Sequence, residues 1–252
     1  TLNNLKSSKA NNTVRAYKSD FKDFGGFCAK HGFKSLPSEP KIVSLYITHL
    51  SKNSKISTLR RRLVSISMVH KLKGHYLDTK HPIIVENLMG IRRVKGSIQK
   101  GKKPILINHL KSIINVIDEQ KIEEIKKSRD KTIILIGFGG GFRRTELISI
   151  DHEDLEFVSE GLKITIKRSK TDQFGEGMTK GLPYFNNETY CPVANLKKWL
   201  EISKIKSGPI FRRFSKGSSL TDNRLTDQSV VLLMKEYLNL AGIENKNFAG
   251  HS

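Results

Sequence analysis

The sequence predicts a mainly α protein with a small β-sheet, built as an N-terminal four-helix domain followed by a C-terminal α+β domain. Three observations predict it. Apolar residues recur at spacings of three and four through most of the chain. One stretch, LEFVSEGLKITIKRSK, instead alternates apolar and polar residues around a Ser-Glu-Gly turn. Between the two halves, KGSIQKGKKP carries four lysines, two glycines and a proline with little apolar content, the composition of an exposed linker. The expected organisation is a helical domain over 1–96, a basic linker over 97–104 and a second domain over 105–252.

In the first half, NNTVRAYKSDFKDFGGFC places Val14, Tyr17, Phe21, Phe24 and Cys28 on one helical face. Asn12 or Thr13 is the expected cap, and Gly25-Gly26 should loosen the last turn. SEPKIVSLYITHL offers Ser38 as cap, Pro40 in the first turn and a buried stripe of Ile42, Val43, Tyr46 and Leu50. STLRRRLVSISMVHKLKG begins at Ser57 or Thr58, buries Leu59, Leu63, Ile66 and Val69, and stops at Gly74. HPIIVENLMGIRR, with Pro82 in its first turn, is the fourth helix. In the second half, helices are expected over 108–118, 129–138, 143–150, 192–203 and 227–241. The alternating stretch is a β-hairpin, joined by a third strand near KGLPYF.

Charge narrows the partners. The chain has 45 Lys+Arg against 24 Asp+Glu, a net +21. Residues 1–103 hold 22 basic and 5 acidic side chains, and the remainder 23 and 19. Folding gains nothing from such an excess, so a polyanion is implied, and counterion release makes nucleic acid the economical one. A membrane surface would favour one strongly amphipathic basic helix, and no apolar run approaches the ~18 residues of a span. RNA binding predicts aromatic stacking platforms, which aromatics at 8% with no RNP-like motif do not supply. The two cysteines, Cys28 and Cys191, read as reduced thiols of a cytoplasmic, DNA-associated protein. The chain begins at Thr1 rather than Met, which leaves a lost leader open.

No HExxH, CxxC, Walker loop, dinucleotide fingerprint or GxSxG elbow is present. Asp151, Glu153 and Asp154 form a weak carboxylate cluster, so no metal and no cofactor is expected. What remains is GGGFRRTEL, directly after the apolar run TIILIGF. An arginine fork fits the equatorial oxygens of a phosphate as charge builds there, and a helix start adds backbone N–H groups to that field. Glu146, one turn on, can hold the guanidinium in place.

GFRRTELISIDHEDL resembles the first catalytic box of the tyrosine recombinases, the phage-integrase family. Gly141, Arg143, Glu146, Leu147 and Asp154 fall on that pattern. The spacing selects Arg143 for catalysis and leaves Arg144 as a DNA-facing neighbour. ITIKRSKTD resembles the family's β-hairpin lysine and selects Lys170 to protonate the leaving 5′ oxygen, with Lys167, Arg168 and Lys180 as competitors. FAGHS resembles the opening of the second box, with His251 as the histidine beside the attacked phosphate. The N-terminal half resembles the helical, SAM-like core-binding domain of the Cre-like branch. The resemblance implies a C-shaped clamp on double-stranded DNA, with candidate phosphate contacts at Arg60, Arg61, Arg62, Arg92, Arg93, Lys102 and Lys103. It also implies a homotetramer in the synaptic complex, a monomer when free, and cleavage through a 3′-phosphotyrosine without metal or ATP.

The chain departs from the pattern at its end. The family's second arginine would fall just past Ser252, with the nucleophilic tyrosine further on, and none of the six tyrosines present has the nucleophile's context. The expectation is therefore a longer recombinase cut short, inactive as it stands, with a non-catalytic DNA-binding remnant as the alternative. The reading frame downstream of the Ser252 codon separates the two.

Overall fold

The computed structural model describes residues 11–96, 101, 103–167, 177–244 and 248. The chain divides into two compact units, Thr1–Lys100 and Gly101–Ser252, each with its own core.

The first unit contains α1 (Asn11–Lys30), α2 (Pro40–Ser51), α3 (Ile56–Leu72) and α4 (Pro82–Lys95). Its core gathers Phe24, Cys28, Val43, Tyr46, Ile47, Leu59, Leu63, Ile66, Leu77 and Ile84. Of the α1 stripe, Val14 and Tyr17 are only half-buried, while Asp20 is buried beside them. Val69 of α3 is likewise half-buried.

Several expected helix ends are corrected. Asn12 and Thr13 already lie inside α1, and Gly25-Gly26 sit in its interior, where the helix continues unbroken to Lys30. Ser38 does not cap α2. Glu39 stands at the cap without a side-chain bond, and the Ser38 amide instead donates to His70 Nε2 at 2.9 Å. Pro40 opens the helix where its missing N–H costs nothing. Ser57 and Thr58 lie inside α3, which starts at Ile56. That helix stops as read: Gly74 turns left-handed at φ 78°, and the amides of Gly74 and His75 bond the carbonyls of Lys71 and His70.

The second unit runs α5 (Ile107–Glu119), α6 (Glu124–Gly139), α7 (Arg144–Ser149), β1 (Leu155–Val158), β2 (Gly161–Ile166), β3 (Met178–Pro183), α8 (Pro192–Ser203), β4 (Arg212–Phe214), β5 (Leu220–Arg224) and α9 (Asp227–Leu240). Helix α6 is its axis, flanked by α5, α8 and α9, with Trp199 and Tyr237 fully enclosed. It begins five residues before the expected 129, and its charged residues Arg129 and Asp130 are buried and paired. Arg129 Nε and Nη2 donate to Asp130 Oδ1 at 2.8 and 2.7 Å, and Tyr237 donates to Asp130 Oδ2 at 2.9 Å. Tyr237 is thus a core residue, and burial followed by the Asp130 charge pushes its phenol far above the ordinary value.

The first sheet is antiparallel in the order β1-β2-β3, with Leu155 opposite Ile164 and Ile164 opposite Lys180. Leu162, Ile164 and Ile166 are buried while Lys163 and Thr165 face solvent, the alternation that the sequence shows. A second hairpin, β4-β5, pairs Phe214 with Leu220 and was not anticipated.

Candidate functional site

Helix α6 ends in a compact turn that sets up everything after it. Gly141 takes φ 55°, the left-handed conformation that glycine adopts without a Cβ penalty. The Gly141 amide bonds Phe138 O at 3.2 Å and the Phe142 amide reaches back to Gly137 O at 3.1 Å, the paired closure that satisfies a helix's last carbonyls. Arg143 follows at once as the N-cap of α7, with extended backbone angles. The chain therefore turns a corner between two helices, and an arginine stands on the corner.

Glu146 holds that arginine twice. Its Oε2 accepts the Arg143 backbone amide at 3.0 Å and its Oε1 accepts Arg143 Nη1 at 2.6 Å. The carboxylate is buried, with 2% of its side chain accessible, against 39% for Arg143. A buried anion gripping a part-exposed cation fixes the guanidinium while leaving part of it accessible to a ligand. One element of the expected anion field is reduced, however. Helix α7 has only six residues, and the Arg143 amide at its N-cap is committed to Glu146. An apolar cavity of about 360 Å³ opens beside the turn, lined by Phe138, Phe142, Leu147 and Met234 together with Arg143 and Arg144.

Arg144, expected to face DNA, is partly exposed, with 27% of its side chain accessible. Its Nη1 lies 3.7 Å from Asp227 Oδ2 at the start of α9, and its Nε is buried without a hydrogen-bond partner.

Two of the competing basic residues on the hairpin are engaged. Lys167 bridges Asp154 Oδ1 at 2.8 Å and Asp151 Oδ2 at 3.6 Å, and the Asp154 contact raises its pKa. Lys180 donates to Gly140 O at 2.7 Å and Gly141 O at 3.1 Å. Lys170, Arg168 and His251 lie outside the described residues, as does Lys102.

The acidic cluster after α7 is consumed by local structure. Asp154 Oδ2 accepts the Asp151 amide at 2.9 Å, Glu153 accepts the Gly208 amide at 3.0 Å, and Asp151 pairs with Arg224. Glu153 is held below its ordinary pKa by the Gly208 amide. Among the described residues no group of three or more His, Cys, Asp or Glu side chains could hold a metal ion.

In the helical unit the expected phosphate contacts divide. Arg60 is exposed and has no ion pair among the described residues, and Arg92 and Arg93 are exposed on the last turn of α4. Lys103 is exposed as well. Arg61 and Arg62 behave differently, because both turn onto the buried Asp20. Arg61 Nη1 bonds Asp20 Oδ2, Arg62 Nε lies 3.2 Å from Asp20 Oδ1, and Arg62 Nη1 lies 3.1 Å from Asp23 Oδ2. Ser65 adds a 2.7 Å hydrogen bond to the same carboxylate. Asp20 was missed in the sequence, although it stands four residues before Phe24 on the apolar side of α1, where a lone carboxylate needs a partner.

Similarity to known proteins agrees with the family resemblance. A protein of Selenomonas ruminantium described as an integrase/recombinase xerD homolog is 40% identical over 251 residues, which cover 98% of this chain and 73% of that protein. The tyrosine recombinase XerC of Leptospira interrogans is 25% identical over 209 residues, covering 81% of this chain and 61% of its own length. Among solved structures, the XerH site-specific recombinase bound to a palindromic difH substrate superposes with a TM-score of 0.62 at 16% identity, over 85% of this chain and 59% of that one. Lambda integrase bound to DNA gives 0.59 at 13% identity, over 96% and 74%. These superpositions show a shared fold. No family model matches the chain.

Proposed function

Because this chain belongs to the tyrosine recombinase family, we propose that it serves site-specific cleavage and rejoining of duplex DNA through a 3′-phosphotyrosyl link. The observation that carries the reading is the Arg143 guanidinium held at the corner between α6 and α7 by the buried Glu146. The chain spans less than two thirds of the Leptospira relative. The activity is accordingly proposed for the protein that carries a nucleophilic tyrosine together with these residues.

The chemistry follows from the groups. As the tyrosine oxygen attacks phosphorus, negative charge grows on the non-bridging oxygens, and Arg143 neutralises it through paired N–H donors. Lys170 gives a proton to the departing 5′ oxygen, and His251 manages a proton at the attacked phosphate. The phosphodiester's energy is kept in the covalent link, so rejoining needs no ATP and the scheme calls for no metal. With Lys167 and Lys180 both engaged, Lys170 is favoured for the proton. We place the helical unit in the Cre-like branch, with synapsis by four copies and location in the DNA-containing cytoplasm.

The test is a covalent trap. After the binding site is selected from random duplexes, the full-length protein is offered that site with a nick that lets the cleaved end diffuse away. An SDS-resistant, protease-sensitive adduct at a 3′ end, formed in EDTA without ATP, is the expected product. A metal-dependent cut leaving a free 3′ hydroxyl overturns the proposal.

DNA binding carries a separate expectation. Arg60→Ala should reduce the slope of log affinity against log salt by about one contact's worth, roughly 0.9, with unchanged thermal stability. Fluorescence anisotropy across a salt series measures it, and an unaltered slope assigns Arg60 to plain surface.

A further inference from the structure

Lys180 occupies a position that the proposed chemistry does not use. It sits on β3 opposite Ile164, and its ammonium bonds the carbonyls of both Gly140 and Gly141. Those carbonyls close α6, where backbone oxygens run out of helical partners and the negative end of the helix dipole lies. The same ammonium stands 4.5 Å from the centre of the Phe142 ring, within cation–π range. The ring in turn covers the turn closely: a Cβ built on Gly140 would fall 2.1 Å from Phe142 Cε2. Lysine, ring and glycine backbone thus form one packed unit, and the next residue is Arg143.

We propose that Lys180 is a positioning residue for Arg143, its ammonium locking the Gly140–Gly141–Phe142 turn that sets where the guanidinium meets the phosphate. The proposal rests on the recombinase reading above. Glu146 fixes the guanidinium relative to α7, whereas Lys180 ties the entry to α7 down onto the sheet. Consecutive glycines make that entry soft, since they have many backbone alternatives to lose. Without the two ammonium bonds the corner has room to drift, and a displacement near 1 Å at a reacting group costs roughly 10²-fold in rate.

Two variants of the full-length enzyme test it. Lys180→Met keeps the aliphatic stem over Phe142 and removes the donors, while Lys180→Arg restores donors to the carbonyls. Single-turnover cleavage of the nicked substrate should fall roughly 10²-fold in Lys180→Met, with the DNA dissociation constant unchanged, and Lys180→Arg should recover most of the rate. Amide exchange should quicken at Gly140 to Arg143. Wild-type cleavage by Lys180→Met overturns the proposal, and so does a parallel loss of cleavage and binding, which a merely structural lysine would produce. Arg143→Ala, run alongside, keeps the two ideas separate: if it cleaves normally the recombinase reading fails, whereas an inactive Arg143→Ala beside an active Lys180→Met sinks the Lys180 role alone.

Discussion

Arg143→Ala in the full-length protein should lower single-turnover cleavage on the order of 10³-fold while leaving DNA affinity nearly intact. The asymmetry follows from where the arginine acts. One phosphate contact among many contributes about one unit of salt slope to binding, but in the transition state Arg143 meets the charge that builds on phosphorus, which is larger than in the bound ground state. Arg143→Lys keeps the positive charge and loses the planar fork, so its rate should fall between wild type and alanine. Alanine also leaves the buried Glu146 without its 2.6 Å partner, so a melting curve must accompany the rate. A folded Arg143→Ala that cleaves at the wild-type rate removes the residue from the chemistry.

Asp20→Ala should destabilise the helical unit by about 3 kcal/mol, the low end for breaking a buried ion pair. Asp20 is buried and collects Arg61, Arg62 and Ser65, joining α1 to α3. The low end applies because Arg61 is 46% accessible and can rehydrate once its partner is gone. Helical circular dichroism should then fall at lower urea, while the fluorescence of the lone Trp199, in the core of the second unit, keeps its midpoint. A shared, unshifted transition refutes the assignment. The same network explains why changing Arg60, Arg61 and Arg62 together is a poor probe of DNA contact: two of the three hold the fold.

The parts that could be read beforehand share a physical property, a pattern local in the chain. Helical spacing located all nine helices described here, and alternation located β2 because Leu162, Ile164 and Ile166 really do face one core. The corner at Arg143 was legible because glycines, arginine and glutamate needed for it lie within nine residues. What escaped depends on distant partners. Strand β4 has three residues, two of them arginines; it pairs with β5 and is contacted from α6, where Arg129 bonds the Arg212 carbonyl at 3.1 Å and covers the Phe214 ring. The approach of Arg144 to Asp227, 3.7 Å away in space and far along the chain, is another long-range contact. Ser38 looked like a cap, but its amide answers to His70 on another helix.

Both thiols are sealed in apolar surroundings. Cys28 sits in the helical core, where desolvation lifts its pKa, and the Cys191 sulfur accepts the Phe185 and Ala194 amides at 3.3 and 3.4 Å. A buried thiol out of reach of reagents reacts poorly with maleimides and iodoacetamides. Fluorophores can therefore be attached through a cysteine engineered at an exposed site such as Ser57, without first stripping the native sulfurs from the protein.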